Sequence, residues 1–215
     1  MFAVISPEKI EIPPGSVFQV IGDWADYEAL TKQLEDKSLP RLKYRPGEIW
    51  LMSPLPEHGR NASLIADTIK AILDHLEKEY ESFTPITMKL PQKIGIEPDY
   101  CFYIDNWRVA SGKKRINWEV EPAPDLVIEI DITSYTDIKD YLPYKVPEVW
   151  LFKSDRVTIY HWENGSYTVK DFSRYFPNLA ILNLIADCFH VAANRNTSTA
   201  IRQLRQKLNE NQNSD

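Results

Sequence analysis

The chain has 215 residues and a formal net charge of −6, with 43% hydrophobic and 26% charged residues. This composition excludes a disordered chain, and two cysteines, Cys101 and Cys188, exclude a disulfide framework or a Cys-rich zinc site. The acidity excludes a protein that coats nucleic acid by bulk charge, but not an enzyme that gathers carboxylates around a metal.

The first residues, 1–14, mix Glu8, Lys9 and Glu11 with prolines and lack the basic start and apolar run of a signal peptide. No window approaches the roughly 18 unbroken apolar residues of a membrane span. A cytoplasmic protein without membrane contact is therefore expected. Asp23 is placed to cap a short helix carrying Trp24, Tyr27, Leu30 and Leu34 at near-helical spacing. Residues 42–52 read as a hairpin with Pro46-Gly47 at its turn.

Residues 57–80 form the strongest predicted helix, with Ile65, Ile69, Ile72, Leu73, Leu76 and Tyr80 on one apolar face. Strands are expected at 83–90, 99–104, 125–132, 148–152 and 157–162. Asn164-Gly165 then turns the chain into a strand at 166–170. Helices follow at 179–190 and 199–208, and the end, 209–215, reads as frayed. The order implies an α/β (α+β) domain with a mixed central sheet flanked by helices. We expect this domain over residues 1–190 and a helical tail over 191–215.

The most informative segment is Pro124-Asp125-Leu126-Val127-Ile128-Glu129-Ile130-Asp131. Side chains alternate across a strand, so Asp125, Glu129 and Asp131 share one face and Leu126, Ile128 and Ile130 the other. Carboxylates on a strand suited to burial require compensation. A hard divalent ion such as Mg²⁺ supplies it, because that ion takes oxygen ligands and binds through one or two carboxylates plus phosphate. The plainer reading is the solvated face of a half-exposed sheet. Glu97-Pro98-Asp99 opens a second strand, where a neighbouring position would bring Asp99 beside Glu129. Two such acids followed by a lysine suit metal-dependent phosphodiester hydrolysis, although Pro-Asp is also a routine turn dipeptide.

The chain resembles the Uma-type family of bacterial restriction-endonuclease-like proteins, within the broad PD-(D/E)xK nuclease fold. The resemblance rests on residues 54–59 ending in His58-Gly59, on Glu97-Pro98-Asp99, on 124–129, on Lys139 and on Val146-Pro147-Glu148-Val149-Trp150. Residues 156–160 and 165–167 continue it, so that it spans roughly 42–182. It implies a restriction-endonuclease-like fold and a Mg²⁺-dependent (or Mn²⁺-dependent) nuclease acting on DNA. Asp99 and Glu129 would be metal ligands, Asp131 a supporting or second-ion ligand, and Lys139 the lysine that stabilises charge. The chain departs from the pattern after Lys139, where the connection is short and Pro143 should end the helix early. That departure keeps open a catalytically inactive module binding nucleic acid or a protein partner. An unrelated acidic interaction domain is a third reading.

His58 reads as a surface or structural histidine, or else as one facing the site from a helix start. Trp150 reads as core, and Tyr141 and Tyr144 as packing residues or substrate contacts. Lys113-Lys114-Arg115 reads as a solvated loop or a phosphate contact. Arg202 and Arg205 share a helix face beside the apolar stripe Ile201, Leu204 and Leu208. That helix reads as a solvated terminal helix, a homodimer contact or a phosphate-contacting arm.

Overall fold

A computed structural model describes residues 12–34, 39–132 and 136–212. Most of the segment read as lacking a signal peptide, and the very end read as frayed, lie outside the described residues.

β1 (Ser16–Ile21) leads to α1 (Trp24–Gln33). Asp23 caps α1 as expected, in a reciprocal box with Asp26: each backbone N–H donates to the other's carboxylate at 3.0 Å. β2 (Arg41–Arg45) and β3 (Glu48–Ser53) form the expected hairpin, and Gly47 at φ +88° supplies the left-handed turn position. These strands, with β5 (Met88–Leu90) and β6 (Ile94–Ile96), make a five-stranded antiparallel sheet in the order β1-β3-β2-β6-β5.

α2 (Pro56–His75) begins with proline at its first turn, where a missing N–H costs nothing. It ends five residues before the expected limit. Glu77 adopts φ 52°, and the Lys78 N–H caps the Leu73 carbonyl at 3.0 Å. Tyr80 belongs to the same apolar set because it still packs on Phe102, beyond the helix. The single strand expected over 83–90 is two strands in different sheets, β4 (Glu81–Phe83) and β5, separated around Pro85.

The second sheet has six strands in the order β11-β10-β9-β8-β7-β4. They are β7 (Tyr100–Tyr103), β8 (Leu126–Ile130), β9 (Glu148–Lys153), β10 (Arg156–Glu163) and β11 (Ser166–Lys170), together with β4. β8 and β9 are parallel and the other pairs antiparallel, which makes the sheet mixed. A short α3 (Trp107–Ala110) follows β7. Among the described residues of the β8–β9 crossover, the one helical element is a 3-10 turn, Ile138–Tyr141, which ends before Pro143 as expected.

α4 (Ile181–Asn194) and α5 (Thr197–Gln212) complete the chain. Leu126, Ile128 and Ile130 of β8 join α2, α4 and α5 in the largest core. Val127 faces the other way, into a second core with Cys101 and Val149. The boundary expected at 190/191 falls inside α4. The apolar stripe of α5 is spent within the chain, since Ala200, Leu204 and Leu208 are buried in the core formed around α2. The α5 cations are also engaged internally: Arg205 with Asp74, Lys207 with Asp187, and Arg202 with Ser198 and Thr199.

Candidate active site

β7 and β8 pair with Tyr100 opposite Ile128 and Cys101 opposite Val127. One further step along that register sets Asp99 opposite Glu129. Directly opposed residues of an antiparallel pair share a face. Glu129 follows Val127 by two residues, so the sheet presents both acids on the side away from α2.

Asp99 is 1% exposed and fully engaged. Its Oδ2 accepts from the Ile130 N–H at 2.8 Å. Its Oδ1 lies 2.6 Å from His58 Nε2 and is ion-paired with Arg41. Burial alone would raise the Asp99 pKa; the His58 hydrogen bond and charge, then Arg41 and the Ile130 N–H, outweigh it and hold the carboxyl below its usual range. Glu129 behaves oppositely. Burial, and then the neighbouring Asp99 charge, push it up to about 8, against the Tyr141 hydrogen bond and the charges of Lys43 and Arg41. Two adjacent carboxylates are thus pushed apart about the usual carboxylate range: Glu129 above it, by burial and the Asp99 charge, and Asp99 below it, against its burial, by His58 and Arg41.

The positive charge present comes from β2. Its buried Leu42 and Tyr44 alternate with Arg41, Lys43 and Arg45. Arg41 pairs with Asp99. Lys43 pairs with Asp140, and Arg45 donates to both oxygens of Asp140 at 2.7 and 2.9 Å. A small cavity of about 30 Å³ lies where the two sheets meet, lined by Arg41, Lys43, His58, Glu97, Asp99 and Glu129 among others. Glu97 is itself raised to about 7, by burial.

The expected site residues do not all converge. Asp99 and Glu129 do. Asp131 is buried, but its Oδ2 accepts from Lys153 Nζ at 2.7 Å, and it lines a neighbouring cavity of about 450 Å³. Lys139 is exposed and does not line the acid cavity. The turn that carries it buries Asp140 and Tyr141 instead, and these reach the β2 cations and Glu129. Asp125 is structural: it accepts from the Ile104 N–H at 2.7 Å and from the Asn106 backbone and side-chain N–H groups at 3.0 and 2.8 Å. His58 is not a surface residue; α2 buries it against Asp99, and its Nδ1 has no hydrogen-bond partner among the described residues. Tyr144 packs, donating to the Met88 carbonyl at 2.8 Å, and Trp150 is core.

Arg41, Lys43, Glu97 and Tyr141 are the site neighbours that sequence reasoning missed or left aside. The period-2 alternation Arg41-Lys43-Arg45 was the available signal for the cations. Among the described residues, no three His, Cys, Asp or Glu side chains are grouped to hold a metal, so Asp99, Glu129 and Asp131 do not form one ligand set. The donor chemistry of Asp99 and Glu129 still fits a hard divalent ion. Two adjoining carboxylates suffice for Mg²⁺ when water and phosphate complete its shell, and a cation there would relieve the proton held by Glu129.

The Uma2 family, described as "Putative restriction endonuclease", matches residues 24–194. The chain belongs to this family. Membership covers the whole site from β2 to β9, and the family description supports a nuclease function. The restriction-endonuclease-like fold expected from sequence agrees with the mixed sheet flanked by helices. A solved structure, a "putative nuclease belonging to DUF820 from Anabaena variabilis", is similar at 20% identity and a TM-score of 0.48, covering 68% of this chain and 90% of its own. None of the curated proteins matches. No helix among the described residues is long and apolar enough to cross a membrane.

Proposed function

We propose that this Uma2-family chain is a divalent-metal-dependent nuclease that hydrolyses phosphodiester bonds of DNA. One observation carries the reading: Asp99 and Glu129 meet across β7 and β8 in a cavity whose opposite wall supplies Arg41 and Lys43. Asp99 and Glu129 would hold Mg²⁺ or Mn²⁺. When bound, the ion polarises the phosphate and lowers the pKa of water. In the reaction, a water oxygen forms the new bond to phosphorus, the bond to the sugar oxygen breaks, and a proton passes to that leaving oxygen.

The protein's own groups divide the remaining work. His58 and the Ile130 N–H fix the orientation of Asp99. The Tyr141 hydroxyl fixes Glu129. Lys43 takes the role expected of Lys139, placing a cation beside the acids where phosphate charge builds up. Asp131 acts from the adjoining cavity through its pairing with Lys153.

A second reading is a nuclease-fold module that binds nucleic acid without cutting it. The engagement of Asp99 by Arg41, in the position a metal would claim, favours it. Calorimetric titration of Mn²⁺ and a DNA cleavage assay with Mg²⁺ separate the two. The nuclease reading expects wild type to bind Mn²⁺ and cleave, and Asp99→Ala and Glu129→Ala to lose both. Equal Mn²⁺ binding by all three proteins would sink the assigned site. Nucleic-acid binding without cleavage in the wild type would establish the second reading.

A further inference from the structure

The acid cavity holds about 30 Å³, room for one or two water-sized species but not for a nucleotide. A nucleic-acid strand must therefore be held outside it. The protein is acidic overall, so that hold requires a local basic surface. Glu97 lines the acid cavity and also a second, far larger one of about 710 Å³. The wall of this second cavity carries Lys89, Lys113, Lys114 and Arg115, with Phe83 and Trp118 beside them.

The basic segment lies in the connection between β7 and β8, and it is a built loop, not a loose charge run. Lys113 is ion-paired with Glu121. Glu121 also accepts from the Asn117 N–H at 2.8 Å, and the Asn117 side chain accepts from the Glu119 N–H at 3.1 Å. The Trp118 indole N–H donates to the Thr87 carbonyl at 3.0 Å, which fixes its ring against β5. The Tyr103 hydroxyl donates to the Pro122 carbonyl at 3.1 Å, tying the end of the loop to β7. These bonds hold Lys114 and Arg115 exposed on the cavity wall. No hydrogen bond or ion pair within the described residues engages either side chain.

We propose that this groove is a nucleic-acid track, which binds the phosphate backbone of one strand on its way to the acid cavity, with Lys114 and Arg115 as its contact cations. The proposal rests on the nuclease reading for its ligand. Its geometry meets the requirements for binding a strand without sequence preference: a cationic wall that follows the backbone, aromatic side chains in the same wall, and continuity with the reacting centre through Glu97. Lys114 and Arg115 spend nothing on the fold, so their charge is available to replace the counterions of phosphate.

The test is fluorescence anisotropy with a labelled single-stranded oligonucleotide in EDTA, where cleavage does not intervene. Wild type is compared with the double variant Lys114→Glu/Arg115→Glu over a range of salt concentrations. Two lost phosphate contacts should weaken binding at least ~10-fold and reduce the slope of log K against log salt by about 1.5. Mn²⁺ titration of the variant should match wild type, showing an intact acid cavity. Binding within twofold of wild type with an unchanged slope would overturn the track. Tighter binding of labelled polyglutamate than of the oligonucleotide at the same salt would also overturn it, by marking the groove as a site for acidic protein. A wild type that binds through this loop but never cleaves would reject the nuclease reading and leave the track standing; cleavage with binding unaffected by the variant would do the reverse.

Discussion

Two pairs of carboxylates lie at the ends of the same central strands, and they differ in what surrounds them. Asp125 precedes β8 and Glu148 opens β9. Each is buried and held by donors of the fold, neutral ones around Asp125, and around Glu148 neutral ones with the Arg174 guanidinium at 3.8 Å. Asp125 takes three hydrogen bonds from Ile104 and Asn106. Glu148 takes the Trp150 indole N–H at 2.6 Å and the Arg174 backbone N–H at 2.9 Å. Asp99 and Glu129, at the other end of the β7–β8 pair, face each other, a cavity and the cations of β2. Burial alone therefore does not mark a functional acid. The mark is an acid whose nearest neighbours are another acid and cationic side chains that a ligand could replace.

The contrast is broken most directly by comparing losses of activity and of stability. Glu129→Gln should lower metal-dependent cleavage at least ~100-fold while the protein stays folded. If cleavage persists, Glu129 belongs with the structural acids. Glu148→Ala should instead cost about 3 kcal/mol, because the buried Trp150 indole N–H is left unpaired and the Arg174 backbone N–H loses its acceptor. Urea denaturation reads this directly. A loss below about 1 kcal/mol would remove the distinction from the structural side.

A smaller effect sharpens the assignment of the lysine. Lys43→Ala should reduce kcat about 10-fold or more with Mn²⁺ affinity little changed, whereas Lys139→Ala should stay within about twofold. The opposite ranking would return the role to Lys139.

The smallest effect is on pH dependence. Glu129 and Glu97 are raised to about 8 and about 7 from an ordinary 4.5. Below that ordinary value both are neutral whether folded or unfolded, and the full stabilisation is present. As pH rises through the folded values, the unfolded chain holds fewer protons than the native one, and stability falls. The metal-free protein should thus lose stability between about pH 4.5 and 8. Glu129→Gln should flatten that decline in thermal melts recorded across this range. An identical profile in the variant would show that Glu129 is not the raised acid.

Much of this framework was legible along the chain. The alternation in Leu126-Val127-Ile128-Glu129-Ile130 placed an acid on one face of a strand and an apolar row on the other. The Pro46-Gly47 turn, the Asp23 cap and the α2 stripe each act over a few residues, so local pattern suffices to read them. The signal failed where an element's partner was remote. Residues 83–90 read as one strand because β propensity does not say which sheet a strand joins. β1 and β6 were missed because β1 is an edge strand exposing Phe18 and Val20, and β6 is only three residues long. Lys139 was misplaced relative to the acids because its segment is a 3-10 turn. With three residues per turn, that geometry sends Asp140 and Tyr141 inward and leaves Lys139 outside.

By itself, then, the sequence determined the family, the strand bearing Glu129 and the Pro-Asp that sets Asp99 at a strand start. Those features follow from side-chain alternation and backbone restriction between near neighbours. Tertiary structure decided which charges answer these acids. It joined β2 to the β7–β8 edge across two sheets, brought His58 from the first turn of α2, and drew Asp131 away to Lys153. Such choices depend on burial, since carboxylates removed from water take the nearest cation in space, however far along the chain it lies.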